Sequence, residues 1–135
     1  HTRLQGDWSS DVCSSDLGYD FGSAYVFQLD NTTGKTNFQL SFLLQSLDAT
    51  VGRTTPWIVD YGLGDTPATF TPVTTVPASL TSGPTFGSTP VTVNFGAALN
   101  NLNQKVWIRV VTLAATSGSG NRPSTGIDDV KFTWN

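Results

Sequence analysis

Hydrophobic and polar positions alternate with a period of two along most of the chain from residue 23 onward. Side chains on a strand point to opposite faces in turn, so this pattern predicts half-buried β-strands. The clearest case is 37–47 (NFQLSFLLQSL). There Phe38, Leu40, Phe42 and Leu44 alternate with Gln39, Ser41, Leu43 and Gln45, giving one core face and one solvated face. The segment 23–29 predicts a second strand, with Tyr25, Phe27 and Leu29 opposite Ala24, Val26 and Gln28. In 56–61 (PWIVDY), Trp57, Val59 and Tyr61 share a face, and Ile58 and Asp60 share the other. A short strand interrupted by Pro72 is expected at 69–73, and a weak one near 76–80. Val91, Val93 and Phe95 point inward from 89–95. In 105–113 (KVWIRVVTL), Val106, Ile108 and Val110 oppose Trp107, Arg109 and Val111. The closing run 126–135 places Val130, Phe132 and Trp134 on one face, behind the adjacent carboxylates Asp128 and Asp129.

Between these runs lie turn residues such as Asn31, Gly34, Gly62, Gly64 and Pro67. One brief helical turn is expected at 97–102 (AALNNL). No alternation of strands with helices occurs, so a parallel sheet is not expected. Seven or eight strands with turn signals between them predict an all-β fold: an antiparallel β-sandwich of jelly-roll type.

Composition supports this reading. Twenty threonines and no glutamate or methionine favour pleated surfaces over helices. At 135 residues, the chain forms one core. A net charge of −3 argues against a nucleic-acid partner, which needs a basic face. No apolar run is long enough for a membrane span, so no membrane insertion is expected.

Residues 1–17 differ in character, having neither β alternation nor helical period, and they lack the basic and apolar regions of a signal peptide. The run 7–17 (DWSSDVCSSDL) resembles a common short-read sequencing adapter translated in one frame. Residues 1–17 are therefore read as a non-native or disordered segment, and 18–135 as a single sandwich domain truncated at its start. The only cysteine, Cys13, and the only histidine, His1, fall in this segment. Setting aside Arg3, Asp7, Asp11 and Asp16 leaves six basic and seven acidic residues.

With those two side chains discounted, catalytic triads and histidine-bearing metal sites have no members. A non-catalytic module is the reading; an Asp-only glycosidase is the third choice. Asp128 and Asp129 carry three readings, one of them simply a solvated pair. Another is an oxygen-only calcium site. The third is loop anchoring, by accepting backbone N–H groups or by pairing with Arg122 or Lys131. Strand geometry sends adjacent side chains to opposite faces unless a bulge re-aims them. Trp57 and Trp134 are in phase with apolar neighbours and read as core. Trp107, out of phase with Val106 and Ile108 and beside Arg109, reads as a flat platform for a sugar ring; the alternatives are that Trp107 and Val111 face the core with the opposite set outward, or that Trp107 covers a sheet edge. Tyr61 is a weaker platform candidate.

The closing Gly126-Ile127-Asp128-Asp129-Val130 and the strand Phe132–Trp134 resemble the end of carbohydrate-binding and galactose-binding-like jelly rolls and of the similar MAM domains. The loop Gly120-Asn121-Arg122-Pro123 resembles modules of large secreted bacterial proteins. The resemblance implies an extracellular or cell-surface module, part of a larger chain, that binds polysaccharide or cell-surface glycan or supports adhesion. It also implies a structural calcium held by Asp128 or Asp129. The alternative is a structural spacer, or a subunit of an extracellular assembly, with no small ligand.

Overall fold

The computed structural model describes residues 2–4, 9–11, 24–47, 49–50, 52–114, 117–119 and 124–135. Over these residues the chain is all-β. Its strands are β1 (Thr2–Leu4), β2 (Ser9–Asp11), β3 (Ala24–Leu29), β4 (Gln39–Ser46), β5 (Gly52–Leu63), β6 (Thr71–Val73), β7 (Thr75–Val76), β8 (Leu80–Ser82), β9 (Gly87–Asn94), β10 (Val106–Val111), β11 (Ser117–Ser119) and β12 (Thr125–Trp134). They form two antiparallel sheets. One has the order β1-β12-β4-β9-β7; the other has β11-β5-β10-β3-β2, with β6 and β8 also pairing β5.

Parity along each strand decides which side chains are buried. From the first sheet, Leu40, Phe42 and Leu44 of β4 and Val91 and Val93 of β9 face inward. From the second come Tyr25 of β3, Trp57 and Val59 of β5, and Val106, Ile108 and Val110 of β10. The two inner faces meet in one cluster that Phe38, Phe95, Ile127 and Phe132 complete. The result is an antiparallel β-sandwich, as the alternation predicts.

Three polar devices tie the sheets and loops together. At one end, Trp57 Nε1 donates to Ser82 Oγ at 2.9 Å, and Ser82 Oγ shares a hydrogen bond with Thr125 Oγ1 at 2.7 Å. Nearby, the Tyr25 hydroxyl donates to the Thr125 carbonyl at 2.6 Å. Burial pushes the Tyr25 phenol above its ordinary value. At the other end, buried Thr32 clasps the turn after β9. Its N–H donates to the Leu102 carbonyl, its hydroxyl donates to the Leu99 carbonyl at 2.6 Å, and the same oxygen accepts from Leu102 N at 2.8 Å. The third device is the pairing of Thr36 with Asn135, each donating its N–H to the other's carbonyl at 3.2 and 2.8 Å.

The helical turn expected at 97–102 is instead a run of turns, and no helix occurs among the described residues. Leu99 is fully buried, and Asn101 takes a left-handed φ of 51°. The side chains of Asn100 and Asn101 accept from Asn37 N and Gly34 N, so the segment is shaped by its bonds to the 31–37 loop rather than by helical pairing. Residues 2–4 and 9–11, where no strand is expected, run as edge strands on β12 and β3. Pairing at a sheet edge uses backbone groups and needs no hydrophobic alternation.

Candidate functional site

Trp107 and Arg109 are two residues apart on β10 and leave the same face, the outer side of the second sheet. The register sets Arg109 directly across from Asp60 on β5. The guanidinium grips the carboxylate at both ends: Nε donates to Oδ1 at 2.8 Å and NH2 to Oδ2 at 2.6 Å. The Asp60 side chain is 1% exposed and that of Arg109 21%. The Phe70 ring lies over the guanidinium carbon at 3.6 Å, so cation–π attraction adds to the pairing.

Phe70 ends a strap, residues 62–70, that crosses this face. Trp107 Nε1 donates to the Gly64 carbonyl at 2.8 Å, Gly64 N donates to the Lys105 carbonyl at 2.8 Å, and Lys105 lies 3.7 Å from Asp65. The last pair is exposed and adds little. Gly62 leaves the space the strap needs, since a Cβ there would sit 2.8 Å from both Phe70 Cε2 and Pro67 Cβ. Gly62→Ala is therefore expected to lower stability by about 1–3 kcal/mol, seen as a lower denaturation midpoint at unchanged m-value.

This geometry places the candidates in different settings. Trp107 is half-buried and pinned through its indole N–H, and Arg109 is committed to Asp60 and Phe70. Tyr61 leaves β5 on the opposite face, where it packs edge-on against Phe95 with ring centres 6.4 Å apart. Trp107 and Arg109 are thus brought together, and Tyr61 is not. Asp60, the partner of Arg109, is not singled out by the sequence pattern. The available signal was a basic residue in the middle of a strongly apolar strand, which requires an acidic neighbour when buried.

Asp128 and Asp129 sit at a β-bulge. Asp128 pairs with Leu43 and Lys131 with Ser41, so Asp129 and Val130 together oppose Phe42. Asp129 takes a left-handed φ of 53°, and its N–H donates to Asp128 Oδ1 at 2.8 Å. The bulge has a packing purpose: Ile127 and Phe132 are five apart, so unbroken alternation would send them to opposite faces, yet both are buried in the core. Both carboxylates are exposed. Among the described residues no group of three His, Cys, Asp or Glu side chains gathers to hold a metal. Arg122 lies outside the described residues.

The outer face of the first sheet carries a groove of about 550 Å³. Its floor is two cross-strand rows in register: Thr133–Gln39–Asn94 and Lys131–Ser41–Thr92. Thr74 and Val76 of the neighbouring segment form one wall, with Val76 66% exposed. Sequence alternation marked Gln39 and Ser41 as solvated, but their alignment with β9 and β12 depends on strand order. Comparisons with family models, curated proteins and solved structures return no match for this chain.

Proposed function

We propose that this domain is a non-catalytic, extracellular module of jelly-roll type that binds glycan along the outer groove of its first sheet. The groove is the observation that carries the reading. Hydroxyl and amide side chains repeat across it at the strand spacing of about 4.8 Å, offering donors and acceptors to a polymer with hydroxyls on every unit. Exposed Val76 supplies an apolar contact. Lys131 is the charged side chain of the lining, which suits neutral or uronic polysaccharides. The jelly-roll reading draws support from the strand order. β12 lies between β1 and β4, β4 between β12 and β9, and β10 between β3 and β5, so successive long strands alternate between the sheets. The bidentate Asp60–Arg109 pair holds a buried carboxylate that acid–base chemistry would need free.

Affinity electrophoresis and pull-down on a panel of neutral and uronic polysaccharides test the proposal. Retardation by at least one polymer is expected, lost in Gln39→Ala and Thr92→Ala variants that still fold. No binding to any polymer of either class would overturn it.

A second reading, a structural subunit joined through sheet edges, is favoured by a different feature. Phe86 is 71% exposed next to β9, where β7 pairs only with Thr92 and Val93. Concentration-dependent association in light scattering, abolished by Phe86→Ser, would favour it.

A further inference from the structure

The end of the sandwich next to Trp134 holds a recess of about 370 Å³ on the opposite side of the first sheet from the groove. It is lined by Gln28, Leu29, Asp30, Asn31, Lys35, Phe38 and Trp134. We propose that this recess is a second binding site, which takes a single sugar ring.

Three observations carry the assignment. The first is the wall. Trp134 is half-buried and held from behind by Phe38 and Phe132, with ring centres at 6.1 and 6.3 Å. Its position is thus set before any ligand arrives. An indole face carries partial negative charge and attracts the slightly positive C–H groups on one side of a pyranose.

The second is the rim. Gln28, Asp30 and Asn31 are exposed and Lys35 is half-buried. Among the described residues, no side-chain hydrogen bond or ion pair engages Gln28, Asp30 or Lys35. Asn31 uses its Oδ1 to accept from Thr33 N at 3.1 Å, so its NH₂ is the group it can offer as a donor. The rim therefore offers a carboxylate that accepts from paired hydroxyls, an ammonium and an amide that donate, and a second amide that does either. The charges of Asp30 and Lys35 cancel, which favours a neutral ligand over an ion.

The third is preorganisation. Asp30, Asn31 and Lys35 belong to the loop clasped by Thr32 and by Asn100 and Asn101, with Asn101 N also donating to the Lys35 carbonyl at 2.9 Å. The Thr36–Asn135 pair binds the same loop to the residue after Trp134. Wall and rim are thus tied to each other through the backbone. A recess already in its binding shape loses little ordering entropy on filling. Its volume lies at the small end of the range of roughly 300–1,000 Å³ for small-molecule pockets, which fits one ring rather than a chain.

The test is a ¹H–¹⁵N NMR titration of the full chain with the methyl glycosides of glucose, galactose, mannose and xylose at millimolar concentrations. At least one is expected to shift the Trp134 indole N–H and the side-chain amides of Gln28 and Asn31 along a saturating curve. Trp134→Leu should weaken that binding by about tenfold or more, the loss expected for one aromatic stacking contact. Asp30→Asn, at an exposed position that leaves the fold unchanged, should weaken it as well. Gln39→Ala should leave it untouched, which separates this site from the outer groove. Absence of shifts at these three residues with all four glycosides would overturn the proposal. So would shifts that persist in both Trp134→Leu and Asp30→Asn, or shifts confined to Gln39 and Thr92.

Discussion

Arg109→Ala is expected to destabilise the domain by about 3–5 kcal/mol, because it strands the Asp60 carboxylate in a site that is 1% exposed. Two charge-assisted hydrogen bonds disappear, and the Phe70 ring loses the cation beneath it. The strap 62–70 then has Trp107 as its main anchor. Arg109→Lys should recover only part of the loss, since an ammonium is a point charge and cannot match both carboxylate oxygens. Replacing both partners, as in Asp60→Leu with Arg109→Met, should recover most of it. A well-packed apolar pair escapes the desolvation cost that a buried ion pair carries. Denaturant unfolding of the wild type, Asp60→Leu, Arg109→Met and the double variant closes a double-mutant cycle. A single Arg109→Ala variant with an unchanged midpoint would mean that water reaches Asp60 and that the strap does not seal the pair.

The same pair shows what sequence patterning can and cannot reach. Side-chain parity is a local property, so the inward rows Phe38–Leu44 and Val91–Phe95 were legible from alternation alone, and all of them are buried; on β10 alternation gave two faces, and burial selects that of Val106, Ile108 and Val110 as the core face. Trp57 followed from the same rule. Register is not local. Asp60 meets Arg109 because β5 and β10 are neighbours and because the intervening segments fix their offset, and neither fact is written in the two strands. The groove on the first sheet was hidden for the same reason: Gln39, Ser41, Thr92 and Asn94 read singly as ordinary solvated positions. Leu99 escaped notice because its burial comes from a turn, held by Thr32 from a distant loop. Trp107 was legible as a residue out of phase with its neighbours, but its bond to the Gly64 carbonyl depends on the strap folding back over the sheet.

The paired aspartates are the most instructive case. Their place at the bulge serves packing. Parity counted back from Trp134 predicts Val130 and Phe132 on the core face, and would put Ile127 outside. One extra residue resets the count. Asp129 can supply it because a short polar side chain tolerates a left-handed backbone better than a β-branched one does. Bulge positions of this kind carry a compositional hint, since Asp, Asn and Gly are the residues that tolerate them. The sequence alone does not say on which side of Asp129 the alternation breaks.

Phe132→Ala tests the outcome of that reset, and is expected to cost about 3–5 kcal/mol. Phe132 is buried where the aromatic residues of the core converge. It stacks on Phe38 at 5.5 Å, meets Phe95 edge-on at 6.1 Å and touches Trp134 at 6.3 Å. Truncation removes the shared partner of three rings that come from different segments, so they cannot collapse together to fill the gap. Phe132→Leu keeps most of the volume and should lose clearly less. Inserting an alanine between Asp129 and Val130 offers a complementary check, because shifting the alternation by one residue moves Phe132 to the solvent face or forces a wider bulge. That insertion should destabilise at least as much as Phe132→Ala, with a near-ultraviolet circular dichroism change as the aromatic cluster loosens. If the insertion is tolerated at the wild-type midpoint while Phe132→Ala is not, then β12 can slip to a new bulge, and the position of Asp128 and Asp129 is not what fixes its register.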